Sequence, residues 1–269
     1  MTELHPFLAQ EHPIAFSHRG GAALWPENTM EGFQQSYQLG YRFYETDLHL
    51  TRDDQIVLVH DDTLDRTTNG SGTVGDYTAA ELQSLDAGYR FQPEEDYPFR
   101  GNGLTIPTLV EVLTTWPDTF FTLELKHGGM AKPLAELINR HDLWDRVLVA
   151  GYKDGWLKEF RTETGGRVAT STSRGEIGAF WLMSRNHRGL RLAGIALQVP
   201  MYYGPMTVVD RSFVEAAHTV GKQVHAWTID DGAEMSLLLD MGVDGIMTNR
   251  PDTLKKLLIA RGAGGPWNA

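Results

Sequence analysis

Apolar residues along this chain come in short runs, each followed by a stretch of helical period. The runs read as strands: IAFSH (14–18), RFYETDL (42–48), FFTLELK (120–126), VLVAGY (147–152), RVATST (167–172), GIALQV (194–199), QVHAWTI (223–229) and DGIMTN (244–249). Helical spacing follows most of them, over Thr29–Leu39, Ala131–His141, Gly155–Thr164, Gly175–Arg188, Arg211–Val220, Ala233–Met241 and Asp252–Ala260. Alternation of this kind predicts parallel strands joined by crossover helices. Eight such units in a chain of 269 residues predict a (β/α)8 TIM barrel occupying residues 1–269 as one domain. An open doubly wound sheet is the competing architecture, and no G-x-G-x-x-G follows a strand to support it.

One region breaks the rhythm. After IVLVH (56–60), a polar, glycine-bearing stretch runs to Gly103 and includes the turn signal NGSG (69–72). Within it TAAELQSL (78–85) reads as a short helix, with Thr78 as N-cap and Glu81 completing a capping box. The stretch, approximately 61–105, is expected to be an insertion after the second strand, before the helix Thr108–Thr115. Long structured loops in compact folds usually serve function.

Composition narrows the setting. Hydrophobic residues make up 41% and charged residues 22%, ordinary for a globular protein, but the formal net charge is −11. Such a surface repels nucleic acid, so a phosphate-bearing ligand would need a local positive site. The absence of cysteine excludes disulfides and thiol catalysis. The N-terminal MTELHPFLAQEHPIAF lacks the basic start and apolar run of a signal peptide, and no stretch reaches membrane-spanning length. A cytoplasmic location, no stable membrane anchor and a loose C-terminal RGAGGPWNA are the expectations.

The polar residues that fit this pattern least lie at strand ends, where barrels of this type carry their chemistry. His18 and Arg19 follow IAFS; Glu45 and Asp47 end the second strand; His60 ends IVLV; Glu124 and Lys126 end FFTL; Trp227 and Thr228 end VHA. Residues two apart in a strand share a side, so Glu45 pairs with Asp47 and Glu124 with Lys126. Three converging carboxylates are expensive. At about 6 Å each pair repels by roughly 3 kcal/mol at an effective dielectric of 20. Protonation or a cation must relieve this, unless the acids form a salt-bridge cluster within the barrel. One lysine does not balance three acids. All-oxygen ligation favours a hard divalent cation, Mg²⁺ or Ca²⁺ with Mn²⁺ also acceptable, over zinc.

The segments SHRGGAALWPENTMEGF (17–33), YETDLHLTRDDQIVLVHDDTLDRTTNGSG (44–72), IPTLVEVL (106–113), LELK (123–126) and WTIDDGAEMSLLLDMGVDGIMTNRPD (227–252) together resemble the glycerophosphodiester phosphodiesterase family. The resemblance runs from the first strand to the last helix. It implies a TIM barrel with a small insertion after the second strand, and metal-dependent hydrolysis of glycerophosphodiesters to glycerol 3-phosphate and an alcohol. By resemblance, His18 and His60 are the catalytic pair, Glu45, Asp47 and Glu124 the carboxylates for one divalent cation, and Arg19 and Lys126 the phosphate-facing cations. The chain departs from the family at TRDDQ (51–55), where T-x-D-G is usual, so a hairpin turn lacks its glycine. GYKDGW (151–156) also departs.

Other residues carry weaker signals. Trp227 is either core packing or a wall for the substrate's glycerol half, with the wall favoured. His49 and His225 read as accessory or barrel-interior histidines. Glu27 and Asn28 could cap the first helix or support the rim. Arg66 either holds the insertion or approaches the phosphate. Met201, Tyr202 and Tyr203 offer some apolar surface. A lysophospholipase D-like enzyme or lyase would need an apolar channel; a metal-independent phosphodiesterase would dispense with acids; a binding protein on the same scaffold would be expected to lack a histidine or carboxylate, and none is missing. The expected partner is a small glycerophosphodiester.

Overall fold

The computed structural model describes residues 5–9, 13–94, 96–184 and 192–263. Eight parallel strands form the barrel wall: β1 (Ile14–His18), β2 (Phe43–Leu50), β3 (Phe120–Leu125), β4 (Val147–Gly151), β5 (Ala169–Thr170), β6 (Ala196–Pro200), β7 (Gln223–Trp227) and β8 (Gly245–Thr248). They are ordered β5-β4-β3-β2-β1-β8-β7-β6. A parallel bridge between Ser171 and Ala196 closes the ring from β5 to β6. The barrel helices are α1 (Met30–Gln38), α2 (Leu109–Thr115), α3 (Ala131–Arg140), α4 (Asp154–Glu163), α5 (Arg174–Ser184), α6 (Arg211–Thr219), α7 (Gly232–Met241) and α8 (Pro251–Ala260). The (β/α)8 expectation holds. The fifth strand is much shorter than the run RVATST suggested, and residues 185–188 of the expected helix Gly175–Arg188 lie outside the described residues.

Alternation along β2 sets what faces where. Tyr44 and Leu48 point outward into the large core between strands and helices, with Phe33, Phe121 and Leu123. Phe43 points inward and belongs to a separate core with Phe7, Phe16, Leu148 and Met247. Glu45 and Asp47 follow Phe43 at the same parity. The barrel interior is therefore apolar at the N-terminal ends of the strands and acidic at the C-terminal ends. Phe7, from the segment before β1, plugs the apolar end. It meets Phe43 edge-on at 5.5 Å and Phe120 at 6.0 Å, while Phe43 and Phe120 stack at 4.7 Å. Gly245 is required there: a Cβ would lie 2.9 Å from both the Phe16 and His225 rings.

The insertion is built on a short strand, Ile56–Leu58, paired antiparallel to β2 with His49 opposite Val57. The expected capping box forms at Thr78 and Glu81, ahead of a helix over Ala79–Gln83. A small core of Val57, Val59, Leu64, Val74, Leu82 and Ile106 holds it together. The missing hairpin glycine is replaced by Asp54, which takes the left-handed conformation itself at φ 57°. Aspartate tolerates that region better than most residues. Thr51 braces the turn by donating to Asp53 at 2.6 Å and accepting from the Gln55 amide at 2.9 Å.

Phe7→Ala should destabilise the protein by about 3–5 kcal/mol, the range for emptying a fully buried aromatic site. Urea unfolding followed by circular dichroism measures it. A loss below about 1 kcal/mol would mean the plug is not part of the core.

Candidate functional site

The strand register brings the site together. His18 lies opposite Glu45 across β1 and β2, and Asp47 lies opposite Glu124 across β2 and β3. Oxygens of Glu45, Asp47 and Glu124 lie within 4.8 Å of one another. Glu45 and Asp47 are buried and Glu124 is half-buried. The Lys126 ammonium sits 2.8 Å from both Asp47 and Glu124. Arg19 reaches Asp47 through Nε at 3.0 Å. Its backbone makes that reach possible: Arg19 adopts φ 52°, and its amide donates to the Glu45 carbonyl at 2.9 Å.

The three carboxylates differ electrostatically. Burial alone would raise Asp47, but Arg19 and Lys126 outweigh it and hold the carboxyl down at about 2. Burial pushes Glu45 well above the usual carboxylate range, and Asp47 and Glu124 push it further. Its Oε2 is buried and accepts no hydrogen bond from the described residues. His18 Nε2 lies 3.4 Å from it. An orphaned buried oxygen beside two other carboxylates fits a hard cation. With all three acids ionised, two cations leave the inner set one charge negative, and a divalent ion would turn it one charge positive. That suits a singly charged phosphodiester.

Each histidine is held through Nδ1. His18 Nδ1 lies 2.7 Å from Asn249 Oδ1, and Asn249 is itself fixed by donating to Asp230 through its amide at 2.7 Å and its side chain at 2.8 Å. Burial and the Arg19 guanidinium push His18 down to about 4, so it is neutral near pH 7. His60 Nδ1 lies 2.6 Å from Asp61. Asp61 accepts from Arg66 at 2.6 Å, and Arg66 forks onto both Glu27 oxygens at 2.7 and 2.8 Å. Glu27 also meets Arg19, at 3.3 Å. A chain of alternating charges thus runs from His60 in the insertion to Arg19 on the first loop.

This arrangement settles several open readings. Arg66 ties the insertion to the rim through Asp61 and Glu27. Asn28 is not a cap: Thr29 caps α1 by accepting from the Gly32 amide. Asn28 instead donates to Asp47 at 2.9 Å and accepts from Thr46 at 2.8 Å, which aims the carboxylate. His225 is buried inside the barrel, 3.0 Å from Gln223. His49 stands by the His60 carbonyl at 3.4 Å and is not among the clustered acids. Met201 is buried and offers no surface. Asp61, Asn249 and Asp230 were not singled out from sequence; an acid directly after His60 was the available signal.

The site opens onto a cavity of about 490 Å³. His18, Arg19, Glu45, His60, Glu124 and Lys126 line one part of it. The other part is walled by Tyr152, Trp181, Pro200, Tyr203, Met206 and Trp227. Tyr203 and Met206 come from a small hairpin after β6, pairing Tyr202–Tyr203 with Met206–Thr207. Trp227 is 41% exposed and lines this cavity, so it is not core packing. No helix among the described residues is long and apolar enough to cross a membrane.

Comparison with known proteins shows the family and the fold. A family model described as glycerophosphoryl diester phosphodiesterase matches residues 18–253. A probable glycerophosphodiester phosphodiesterase 2 of Mycobacterium tuberculosis is 34% identical, covering 95% of this chain and 94% of the relative. Among solved structures, a glycerophosphoryl diester phosphodiesterase domain from M. tuberculosis shares the fold at a TM-score of 0.82 with 19% identity, covering 93% of this chain and all of that one. An Oleispira antarctica phosphodiesterase, solved with its product sn-glycerol-3-phosphate, matches at a TM-score of 0.74 and 25% identity over 92% of this chain and 97% of that one.

Folding raises the Glu45 carboxyl above its ordinary value of 4.5. A group raised in this way stabilises the fold below its unfolded value, and that stability is lost as pH rises through the raised one. Protein stripped of metal should therefore lose stability as pH climbs above 4.5, and Glu45→Gln should flatten that slope. At pH 8 in EDTA the variant should melt at least as high as wild type. Calcium or magnesium should raise the wild-type melting temperature and leave the variant's in place. Equal metal-induced shifts in both proteins, read by differential scanning fluorimetry, would exclude Glu45 as a ligand.

Proposed function

Since the chain belongs to the glycerophosphoryl diester phosphodiesterase family, we propose that it hydrolyses glycerophosphodiesters to glycerol 3-phosphate and an alcohol. The observation that carries this reading is the meeting of two histidines, two carboxylates and two cations on one cavity, with the third carboxylate, Asp47, buried directly beside them. Glu45, Asp47 and Glu124 are the residues to hold one hard divalent cation, Mg²⁺ or Ca²⁺, with Mn²⁺ also suited. When bound, such an ion supplies Lewis-acid stabilisation of charge on the phosphoryl group.

The protein's own side chains supply the remainder. Arg19 and Lys126 share the phosphate charge in a half-closed site, where such contacts are strong. His18 and His60 move the protons. The imidazole of His18, neutral near pH 7, can accept one at Nε2, because Nδ1 is committed to Asn249. His60 presents Nε2 in the same way, with Nδ1 committed to Asp61. One histidine takes the proton from the attacking oxygen and the other returns one to the departing alcohol. The attacking oxygen is the glycerol 2-hydroxyl, whose intramolecular position gives it a high effective concentration. The resulting cyclic 1,2-phosphate is then opened by water.

His18→Ala and His60→Ala should each lower kcat by about 10²–10⁴-fold in an assay of glycerol 3-phosphate release. The double variant should lose less than the product of the two losses. Near-normal turnover in either single variant removes that histidine from proton transfer. EDTA should abolish release, and full turnover by metal-free protein would refute the metal assignment.

A diester lacking the 2-hydroxyl tests the route. It should bind but turn over very slowly if that hydroxyl is the nucleophile. Cleavage at a comparable rate would mean that water attacks directly.

A further inference from the structure

The part of the cavity away from the acids holds one further charged group, Arg174, at the start of α5. Its guanidinium lies 4.7 Å from the Tyr152 ring centroid and 5.7 Å from that of Tyr203. One of its nitrogens donates to the Tyr203 hydroxyl at 2.9 Å. No carboxylate among the described residues pairs with it. Two tyrosines therefore orient an exposed cation, on a wall of the cavity, with no counter-ion among the described residues. Nearby in sequence, Thr172 lines the same cavity with a buried hydroxyl that has no hydrogen-bond partner. A buried unpaired hydroxyl costs about 1–3 kcal/mol unless something meets it. Neither group meets an anionic acceptor among the described residues.

We propose that Arg174 and Thr172 form a subsite for the departing alcohol, selecting glycerophosphodiesters whose alcohol carries a carboxylate or a phosphate over those whose alcohol is cationic. The inference rests on the hydrolase reading above. A trimethylammonium group would bring a second cation against Arg174, although Tyr152, Tyr203 and Trp227 would otherwise make an aromatic cage for it. The guanidinium already lies against two of those rings. A carboxylate would accept from the free edge of the guanidinium and from the Thr172 hydroxyl, pairing both.

Three diesters of glycerol phosphate separate the possibilities, with glycolate, glycerol and choline as the alcohol. They carry an anionic, a neutral and a cationic leaving group. Each kcat/KM is divided by the same protein's value on the neutral diester. Wild type should favour the glycolate diester over the choline diester by tenfold or more. A hydrogen bond to a charged group supports a change on the order of tenfold, so Arg174→Gln should lower the ratio by about that factor. Arg174→Glu should reverse the preference. Thr172→Val should lower the glycolate value alone, and its melting temperature should hold, since the hydroxyl it removes bonds to nothing among the described residues. A wild-type preference for the choline diester or for lysophosphatidylcholine would overturn the subsite, as would an unchanged ratio in both Arg174 variants. Failure of wild type to cleave the neutral diester would instead overturn the hydrolase reading, and the subsite with it.

Discussion

The mutual repulsion of Glu45, Asp47 and Glu124 is what the rest of the upper barrel answers to. Strand pairing forces it: once β2 lies between β1 and β3 in the observed register, the acids must face inward together. Three repelling pairs at this spacing cost about as much as the net stability of a domain, roughly 5–15 kcal/mol. Arg19 and Lys126 converge on Asp47 and Asn28 donates to it, so that carboxylate is fully supported. Glu45 receives almost none of this support. The fold concentrates its unrelieved charge on one oxygen, where a cation gains most. The stacked phenylalanines below give the rigidity that keeps these acids from moving apart.

The same logic explains why the insertion is tied down. His60, the proposed proton-transfer group, stands at its start, and such a group must sit within hydrogen-bond reach of its target. The insertion's own core is small, so position cannot come from burial alone. Antiparallel pairing with β2 fixes one end of the segment. The run of ion pairs from Asp61 through Arg66 and Glu27 to Arg19 fixes the other. Exposed pairs contribute little singly, but the bidentate Arg66–Glu27 fork adds geometric definition to a network. One arginine in that network, Arg19, also lines the cavity beside the acids, so insertion and cavity share a structural element.

Much of this was legible in the sequence. Strand alternation exposed the parity of Glu45 and Asp47, and the barrel follows from eight apolar runs with helical spacers. What was not legible depends on side-chain direction beyond the strands. PENT looked like a capping segment, yet a left-handed backbone at Asn28, φ 56°, turns its amide onto Asp47 and leaves the cap to Thr29. Asn249 supports His18 from 231 residues away, a pairing that only barrel closure creates. Met201 looked like surface because it precedes two exposed tyrosines, but it is the inward residue at the base of their hairpin. Local pattern identifies residues whose role follows from strand period. It fails where a loop residue with positive φ, or a contact across the closed ring, decides direction.

The cavity joins two electrostatic regimes, and the join has a consequence for catalysis. At the acid end, an added divalent cation would make the inner set attractive to a phosphodiester of either orientation. Charge alone therefore cannot tell the glycerol half from the alcohol half, since both flank the same phosphorus. On the proposed reading, discrimination has to come from the far wall, where aromatic faces, one guanidinium and an unpaired hydroxyl stand on one side only. In the proposed mechanism a diester bound backwards would have no 2-hydroxyl in line. Binding energy from the leaving half would then be spent on orientation, and would appear in the rate of the chemical step as well as in affinity.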